Sequence, residues 1–404
     1  MSKEELELYF KEHYYSSYER NNYDEFLEYI NFSFPIKAIH ISGTNGKGSI
    51  ANFLYHIYLA KGYKVGMYTS PYLNEVTEMI SINGKNITYD EYIDLFLKYK
   101  DIFEKFHLSS FEMQTFLAYQ FFIKNNLDLV IIEVGMGGSI DATNVITPIL
   151  SIISNVSLEH TAYLGRSISE IAYNKAGIIK ENIPVLVGNL EESAMFAIRE
   201  YSKKMDSKLY VVNEFYNEHL TNNSYVFDYY PYKNLEVRTK AYYELVNASI
   251  SIEATTILKD VLEIDEQSIK EGLKCSLLNC RFEYIKDNLL LDGAHNSDGI
   301  SSLVNSLSKC ENRPIHVIFA CFKDKNIEKM LIELGNISND VTLTTFSHKR
   351  ARNEEDYFLY LGDYKFENDY MKLINQKLEE FPNDLILVTG SLAFVGMLRK
   401  ELAK

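Results

Sequence analysis

Cysteine is scarce in this sequence, which has four cysteines in 404 residues. They are too few and too scattered for a disulfide framework or a Cys-x-x-Cys zinc site, so we expect reduced thiols. No apolar run approaches the roughly 18 residues that cross a bilayer, and the acidic start of the chain lacks the positive charge of a signal peptide. These absences predict a cytoplasmic protein.

Positive charge is in deficit: 41 Lys and Arg stand against 56 Asp and Glu, a formal net charge of −15 at pH 7. Such a surface disfavours nucleic acid and anionic membranes, although a local basic pocket could hold an anionic substrate. We therefore expect small-molecule partners, with no nucleic acid and no membrane. Internal repeats and low-complexity tracts are also missing, and the length favours two domains.

The most informative stretch that is present runs from Ile36 to Ala60. A β-branched apolar run leads into GTNGKGS at 43–49, and apolar residues then recur at helical spacing. Strand, glycine loop and helix predict a phosphate site, because the loop N–H groups, the helix N-terminus and the lysine all attract anions. The spacing departs from Gly-x-x-x-x-Gly-Lys-Ser/Thr, so the motif is a variant P-loop; the plain alternative is a glycine-rich turn between strand and helix.

Strands and helices alternate along the first 280 residues. The pattern predicts two short helices over 3–31, a hairpin at Asn83-Gly84, further short strands over 207–240, and these longer elements: strands at 63–68, 127–134 and 149–155, and helices at 89–105, 110–126, 242–260 and 266–274. Polar residues follow the strand ends, where a doubly wound parallel sheet gathers its ligands. We expect these residues to converge near the P-loop: Ser70, Asp141, Glu159 and His160.

A fresh alternation of strands and helices begins after Arg281. Its predicted strands are 288–292, 314–320, 340–346 and 384–389, and its predicted helices are 297–309, 325–335, 367–380 and 391–402. The fold class is therefore α/β, with a P-loop-containing, mostly parallel, doubly wound sheet domain followed by a smaller Rossmann-like domain. We place the two domains at 1–279 and 280–404.

Seven motifs together resemble the folylpolyglutamate synthases and dihydrofolate synthases, the folate branch of the Mur ligase superfamily. They occur in the family's order along most of the chain: GTNGKGS at 43–49, TSP at 69–71, GMGGSIDATN at 135–144, SLEH at 157–160, NKAGI at 174–178, LLDGAHN at 290–296 and VTGSL at 388–392. The resemblance implies ATP-dependent ligation of L-glutamate to a folate or dihydropteroate carboxylate through an acyl phosphate. It also implies ATP and Mg²⁺, with two metal sites, and a monomer.

The resemblance assigns nucleotide contacts to both predicted domains. Lys47 would hold the β- and γ-phosphates, and Arg281 would reach the γ-phosphate as the domains close over ATP and exclude water. The implied nucleotide-binding residues are Gly43, Thr44, Asn45, Gly46, Lys47, Gly48, Ser49, Asn247, Arg281, Asp292, His295 and Ser391. The plain reading of the DGAHN motif is a turn in which Asn296 caps the next helix.

The resemblance also assigns metal ligands: Ser70 and Glu112 for the first Mg²⁺, and His160 for the second. Lys175 matches a lysine that family members carry as a carbamate. Lys47, His160, Lys175 and Arg281 are thus the implied catalytic residues. Taken alone, His160 would be a structural histidine, Glu112 a solvated side chain and Lys175 a surface ion-pair partner.

Several positions depart from the family pattern, and most lie where folate or glutamate could bind. Tyr72 stands where histidine is common, Met79 and Ser139 where arginine is usual, Glu159 where aspartate is usual, Asn174 where glutamate precedes the lysine, and Tyr243-Glu244 in place of His-Gln. Methionine and serine cannot imitate an arginine fork, so anion recognition could differ. The basic run at 349–352 could bind glutamate, or be a solvated loop.

These departures keep two other functions open. One is another Mur-type ligase that acts on a cell-wall precursor or a polyglutamate chain; a folate ligase should bind a pterin, whereas a cell-wall ligase should not. The other is a non-catalytic ATP-binding regulator, which the presence of Lys47, Ser70, Glu112, His160 and Lys175 disfavours.

Overall fold

Strands and helices alternate along the computed structural model, which describes residues 1–13, 20–276 and 278–402. The strands before residue 276 are β1 (Ala38–Ser42), β2 (Val65–Tyr68), β3 (Ile80–Ile82), β4 (Lys85–Asn86), β5 (Leu129–Glu133), β6 (Leu150–Ile153), β7 (Val185–Val187), β8 (Leu209–Val211), β9 (Tyr216–Leu220), β10 (Tyr225–Tyr229) and β11 (Tyr232–Val237). The α-helices of the same part are α1 (Lys3–Glu12), α2 (Asn21–Tyr29), α3 (Lys47–Ala60), α4 (Tyr89–Lys105), α5 (Ser110–Lys124), α6 (Thr161–Leu164), α7 (Ile168–Ala176), α8 (Glu192–Lys204), α9 (Tyr243–Ile257) and α10 (Glu266–Cys275). A 3₁₀ helix covers Val76–Met79.

An eight-stranded sheet, in the order β4-β3-β2-β5-β1-β6-β7-β8, carries the P-loop. The strands from β2 to β8 in this order are parallel, whereas the β3–β4 hairpin pairs antiparallel to β2 at the edge. The predicted Asn83-Gly84 turn joins the two hairpin strands, with both residues at positive φ. Because β1 is central, the loop that follows it lies in the middle of the carboxyl edge.

Both faces of this sheet are covered, as a doubly wound fold requires. Ala38, Val130 and Ile132 belong to an apolar core that includes side chains of α4 and α5. The alternate residues Ile39 and Ile131 point to the opposite face and are also fully buried. The near-continuous apolar strands that the sequence shows are thus explained by burial on both sides.

The P-loop helix α3 packs tightly against α10. Gly272 of α10 lies so close to α3 that a Cβ atom there would be 2.5 Å from the Ile57 nitrogen and 2.6 Å from its Cγ1. The amide of Asn52 donates a hydrogen bond to Ser276 Oγ at 2.7 Å just past the end of α10. Helix α10 can therefore pack this closely against α3 only because position 272 has no side chain.

A second, six-stranded sheet follows. Its strands are β12 (Glu283–Lys286), β13 (Leu289–Leu291), β14 (Ile315–Phe319), β15 (Asp340–Thr344), β16 (Lys365–Glu367) and β17 (Leu385–Thr389), and its helices are α11 (Ser297–Cys310), α12 (Ile327–Gly335), α13 (Tyr370–Glu380) and α14 (Leu392–Leu402). A 3₁₀ helix covers Glu355–Tyr360. The strand order is β12-β13-β17-β14-β15-β16, parallel apart from β12. Strands β9, β10 and β11 form a separate three-stranded sheet.

The chain divides into two units by its internal contacts. One comprises Met1–Tyr216, Asp228–Leu235 and Val246–Ser276, and the other comprises Asn217–Phe227, Glu236–Leu245 and Leu277–Lys404. The two early segments of the second unit are not predicted from the sequence. Among the residues described, no helix combines the length and apolar character needed to cross a membrane.

The predicted α/β class and the two alternating halves are confirmed, with element limits mostly within two or three residues. The predictions omit helix α8 and the strands β7, β12 and β16, each of which has only three or four residues. Residues 14–19, between the two predicted N-terminal helices, lie outside the described residues.

We expect Gly272→Ala to destabilise the protein by about 1–3 kcal/mol, because the added methyl group meets the α3 backbone, which cannot move aside cheaply. Urea unfolding measures the change. Gly335→Ala is the matched control: Gly335 ends helix α12, and apart from its chain neighbours and the backbone of its own helix, no atom of the described residues lies within 4 Å of the Cβ position. Equal stability for the two variants would contradict the proposed close packing.

Candidate active site

Four neighbouring parallel strands end at the same edge of the large sheet. Ser70 follows β2, Glu133 ends β5, the P-loop follows β1 and Asn155 follows β6. In the sheet these strands lie in the order β2-β5-β1-β6. The edge therefore gathers a hydroxyl, a carboxylate and an amide around the glycine loop.

The P-loop bends the chain into the start of α3. Gly43 and Gly46 have φ values of 149° and 83°, which other residues rarely adopt. The N-cap residue of α3 is Gly46, which has no side chain to cap the helix, and a helix N-terminus of this kind attracts anions. The Lys47 ammonium folds back and donates to the carbonyl oxygens of Gly43 at 3.1 Å and Thr44 at 3.3 Å.

The first half of the P-loop is held by the segment after β6. Asn155 Oδ1 accepts hydrogen bonds from the backbone N–H groups of Thr44 at 3.1 Å and Asn45 at 2.8 Å. Ser154 Oγ donates to the Asn45 carbonyl at 2.6 Å, and the Ser157 N–H donates to Thr44 Oγ1 at 3.0 Å. The N–H groups of Thr44 and Asn45 are therefore engaged by the protein itself. Sequence reasoning missed Asn155, although a polar residue just past a strand end was the available signal.

Two of the loop glycines are required by their neighbours. A side chain at Gly46 would collide with Asn247 Oδ1, so Asn247 lies against the P-loop. A Cβ atom at Gly48 would be 3.5 Å from Glu133 Oε2. Glu133 thus stands beside the first turn of α3.

Glu112, which the resemblance implies as a ligand of the first Mg²⁺, takes part in a helix cap in this structure. Its Oε2 accepts hydrogen bonds from the Ser109 N–H and hydroxyl, both at 2.7 Å, in a capping box at the start of α5. Burial raises the pKa of Glu112 despite these bonds. Glu133 is the carboxylate at Ser70 instead, since its Oε2 accepts the Ser70 N–H at 3.2 Å. Its position at the end of a buried strand was the signal that sequence reasoning passed over.

Lys175 is a buried cation in the same region, with 3 % of its surface exposed. Burial lowers its pKa to about 7, the charge of Lys47 acts in the same direction, and Glu159 opposes both. Glu159 Oε1 lies 3.9 Å from His160 Nε2, and His160 begins α6 in the left-handed region with φ of 50°. Lys47, Glu159 and Lys175 therefore influence one another electrostatically, with His160 beside Glu159.

The glycine segment 135–144, which follows β5 in the chain, contacts both β1 and α7. Asp141 Oδ1 accepts from Thr143 Oγ1 at 2.5 Å, Thr143 Oγ1 accepts from His40 Nε2 at 2.8 Å, and burial lowers the pKa of His40 to about 3, so it stays neutral. Ser42 Oγ donates to the Gly137 carbonyl at 2.5 Å. A Cβ atom at Gly138 would be 2.6 Å from the Lys175 carbonyl oxygen. Asp141 is therefore a scaffold residue that fixes this segment beside Lys175.

The departures from the family pattern have definite structural places. The Ser139 N–H and hydroxyl both donate to the Asn174 carbonyl, at 2.9 and 3.0 Å, so two of the departures are neighbours. Met79 is 3 % exposed and belongs to the core. Tyr72 and Ser139 are the exposed members of the set.

In the second unit, polar residues again follow strand ends: Asp292 and His295 after β13 and Ser391 after β17. The carboxylate of Asp292 accepts three hydrogen bonds, from the Tyr243 hydroxyl at 2.7 Å, the Phe282 N–H at 2.9 Å and the Ala294 N–H at 2.8 Å. Burial raises its pKa. Asp292, which the resemblance implies as a nucleotide-binding residue, ties the segment that carries Arg281 to β13 in this structure.

The other residues of this unit that the sequence analysis singled out differ in burial and in the partners they contact. His295 Nδ1 lies 3.0 Å from the Gly293 carbonyl oxygen, and Ser391 is 2 % exposed at the start of α14. Asn296 caps α11 by accepting the Gly299 N–H at 2.8 Å, as its plain reading predicted. In the basic run, Arg350 pairs with Asp324 at 2.8 Å and its guanidinium lies 4.4 Å from the Phe322 ring centre.

Two family models match the chain. The Mur ligase middle domain matches residues 41–255, and the Mur ligase glutamate ligase domain matches residues 280–392. The chain is 30% identical to the dihydrofolate synthase/folylpolyglutamate synthase of Bacillus subtilis, with 91% of this chain and 90% of that protein covered. It is 31% identical to the folylpolyglutamate synthase of Lacticaseibacillus casei, with the same coverage. A solved FPGS-AMPPCP-folate complex superposes over 100% of both chains, with a TM-score of 0.91 and 29% identity.

We expect Lys175→Met to raise the thermal midpoint of the protein in CO₂-free buffer, most strongly below pH 7. Below about pH 7 the buried lysine is charged in both states and the folded state carries the full desolvation cost. Above that pH the folded protein loses the proton before the unfolded chain does, so native stability rises toward pH 10 and the advantage of methionine shrinks. Thermal scans of both proteins from pH 6 to 10 measure this; a gain that grows with pH would contradict it.

Proposed function

Because the chain belongs to the Mur ligase family, in the branch of the folylpolyglutamate and dihydrofolate synthases, we propose how its residues perform that chemistry. It is an ATP-dependent ligase that joins L-glutamate to the carboxylate of a folate or a dihydropteroate, giving ADP and phosphate. The observation that carries the proposal is the gathering of the P-loop, Glu133 and Lys175 at one sheet edge.

Two transfers make the amide bond. The substrate carboxylate attacks the γ-phosphorus and ADP leaves; the glutamate amine then attacks the acyl carbon, loses a proton and displaces phosphate. The N-terminus of α3 binds phosphate oxygens, and Lys47 leaves its loop carbonyls to pair with the β- and γ-phosphates. Arg281 neutralises charge on the transferred group. Positioning and charge neutralisation supply most of the rate enhancement in such transfers.

The residues of the site suit Mg²⁺, which takes few protein ligands, better than a metal ion that is coordinated by protein side chains alone. In the described part of the chain, no three His, Cys, Asp or Glu side chains gather as a metal cluster. Mg²⁺ commonly takes one or two protein oxygens and completes its shell with phosphates and water. Ser70 and Glu133 would hold the first ion, in place of the predicted Glu112, and His160 the second. When bound, Mg²⁺ neutralises phosphate charge and orients the leaving group.

Lys175 is suited to carbamylation because a pKa of about 7 leaves a substantial fraction of its amine uncharged near neutral pH. The amine adds to CO₂ and releases one proton, so that a buried cation becomes an anion. An anion there would remove the repulsion from Lys47 and support the second Mg²⁺ through its oxygens. We extend the proposal to this modification.

The remaining proposals concern the domains, the oligomeric state and the location of the protein. We propose an ATP-binding domain at 1–279 and a C-terminal ligase domain at 280–404, supported by the family matches over 41–255 and 280–392. A monomer acting in the cytoplasm stays a prediction from the sequence.

The function is tested by ADP release with Mg-ATP and L-glutamate, with dihydropteroate in one reaction and tetrahydrofolate in another, and with products identified by mass. We expect glutamylated product from at least one of them. Lys47→Ala should lose product formation by at least about a hundredfold while its thermal midpoint changes little, because it removes phosphate charge neutralisation. Full activity of this variant, or AMPPCP binding with no turnover of either pterin, would contradict the proposal.

Glu133→Gln and Glu112→Gln distinguish the two carboxylates as metal ligands. We expect Glu133→Gln to lower kcat/KM for Mg-ATP by at least about tenfold and to raise the Mg²⁺ concentration needed for half-maximal rate. Glu112→Gln should change both little, because an amide oxygen can still accept from Ser109 at the helix cap. The opposite order of effects would restore Glu112 to the site.

A further inference from the structure

The chain around Arg281 has an unusual backbone. Cys280 and Phe282, on either side of Arg281, have φ values of 59° and 50°. Neither is the glycine or asparagine that this left-handed region favours. Two such residues in three positions persist only where the surroundings hold them, and they fix the direction in which the intervening side chain leaves the backbone.

Two carboxylates anchor this three-residue segment from either end. Asp292 accepts the Phe282 N–H at 2.9 Å on one side. On the other side, Glu283 Oε2 accepts the Cys280 N–H at 2.7 Å. The Cys280 carbonyl oxygen in turn accepts the Gly293 N–H at 2.8 Å. Every described backbone bond of the segment therefore runs to the start of β12 or to the turn after β13.

The Glu283 anchor is itself held by an ion pair. Arg399 Nε, in the last turn of α14, lies 2.9 Å from both carboxylate oxygens of Glu283. The two side chains are 30% and 21% exposed, so solvent screens the pair only in part. The Arg281 guanidinium extends from this anchored segment over the turn after β13, where a Cβ atom at Gly293 would lie 3.3 Å from Arg281 Nη1. The guanidinium therefore lies close to the backbone of this turn, where a Cβ atom at Gly293 would also be 2.6 Å from Leu392 Cδ1.

We propose that Glu283 and Arg399 are positioning residues that hold Arg281 in the orientation needed to neutralise the transferred phosphoryl group. The inference rests on the proposed function of Arg281. Without Glu283 the Cys280 N–H loses its acceptor, the left-handed residues can relax to ordinary backbone conformations, and the guanidinium is displaced. In this proposal Glu283 and Arg399 act through Arg281 and not by contact with a substrate.

A double-mutant cycle tests this. The variants are Arg281→Ala, Glu283→Ala and the two combined, each measured for kcat and KM in the ligation reaction and for Kd of AMPPCP by calorimetry. If Glu283 acts through Arg281, we expect Glu283→Ala to lower kcat/KM by about ten- to a hundredfold in the wild type, as misplacement by about an ångström does, and by less than about twofold once Arg281 is already alanine.

Two further variants separate positioning from stability. Glu311→Ala is the control variant. The Glu311 carboxylate makes a comparable ion pair in the same unit, with Arg313 at 2.6 Å, and it accepts hydrogen bonds from the backbone N–H groups of Asn312 and Arg313, all of which the substitution removes. It should match Glu283→Ala in thermal midpoint but leave kcat/KM nearly unchanged. Glu283→Gln, which keeps an oxygen for the Cys280 N–H, covers the case in which the alanine variant does not fold, and should fall between wild type and Glu283→Ala.

The outcomes separate this inference from the proposed function. Independent, multiplicative losses in the double variant, or equal kinetic losses for Glu283→Ala and Glu311→Ala, would overturn the positioning role while the ligase remains. A wild-type protein that binds AMPPCP but ligates nothing would overturn the ligase assignment. In that case the double-mutant cycle can still be evaluated from the Kd values of AMPPCP, and these values would decide whether Glu283 acts through Arg281.

Discussion

The hydrogen bonds from the P-loop to Asn155 are the constraint on which the rest of the site depends. One side-chain oxygen accepts two consecutive loop N–H groups and so fixes the loop before any phosphate arrives. That shape directs the first N–H groups of α3 outward, places Gly46 against Asn247 and sets Gly48 beside Glu133. Two strands that flank β1 therefore supply the residues that define the loop, which explains why the phosphate site lies at the centre of a parallel sheet.

The candidate site contains two lysines close together, although the chain as a whole is strongly acidic. The protein carries a net charge of −15, yet Lys47 and the buried Lys175 lie close enough to repel each other. Such an arrangement costs stability in the protein alone and is relieved when anions bind between the cations or when one of them loses its charge. In the proposed reaction, phosphates would supply such anions, and the proposed carbamate would remove the positive charge of Lys175.

Local patterns explain what the sequence predicted well. The P-loop, the Asn83-Gly84 hairpin and the Asn296 cap depend on neighbouring residues, and each lies where the pattern places it. Contacts between residues that are far apart in the sequence could not be predicted from local patterns. The motif Ser-x-x-Glu at 109–112 is a capping signature, but only the fold shows that Glu133 rather than Glu112 meets Ser70. Likewise, Asp292 is engaged by Tyr243, which is 49 positions away in the sequence.

The prior tethering of Thr44 and Asn45 has a kinetic consequence for the nucleotide. A glycine loop that is already ordered loses little conformational entropy when it closes around phosphate, so more of the contact energy appears as affinity. Association then requires no loop rearrangement after encounter, and its rate is governed by diffusion and by electrostatic attraction to the lysine-bearing edge. Differences in affinity between nucleotides should accordingly reside in how long each one stays bound rather than in how fast it arrives.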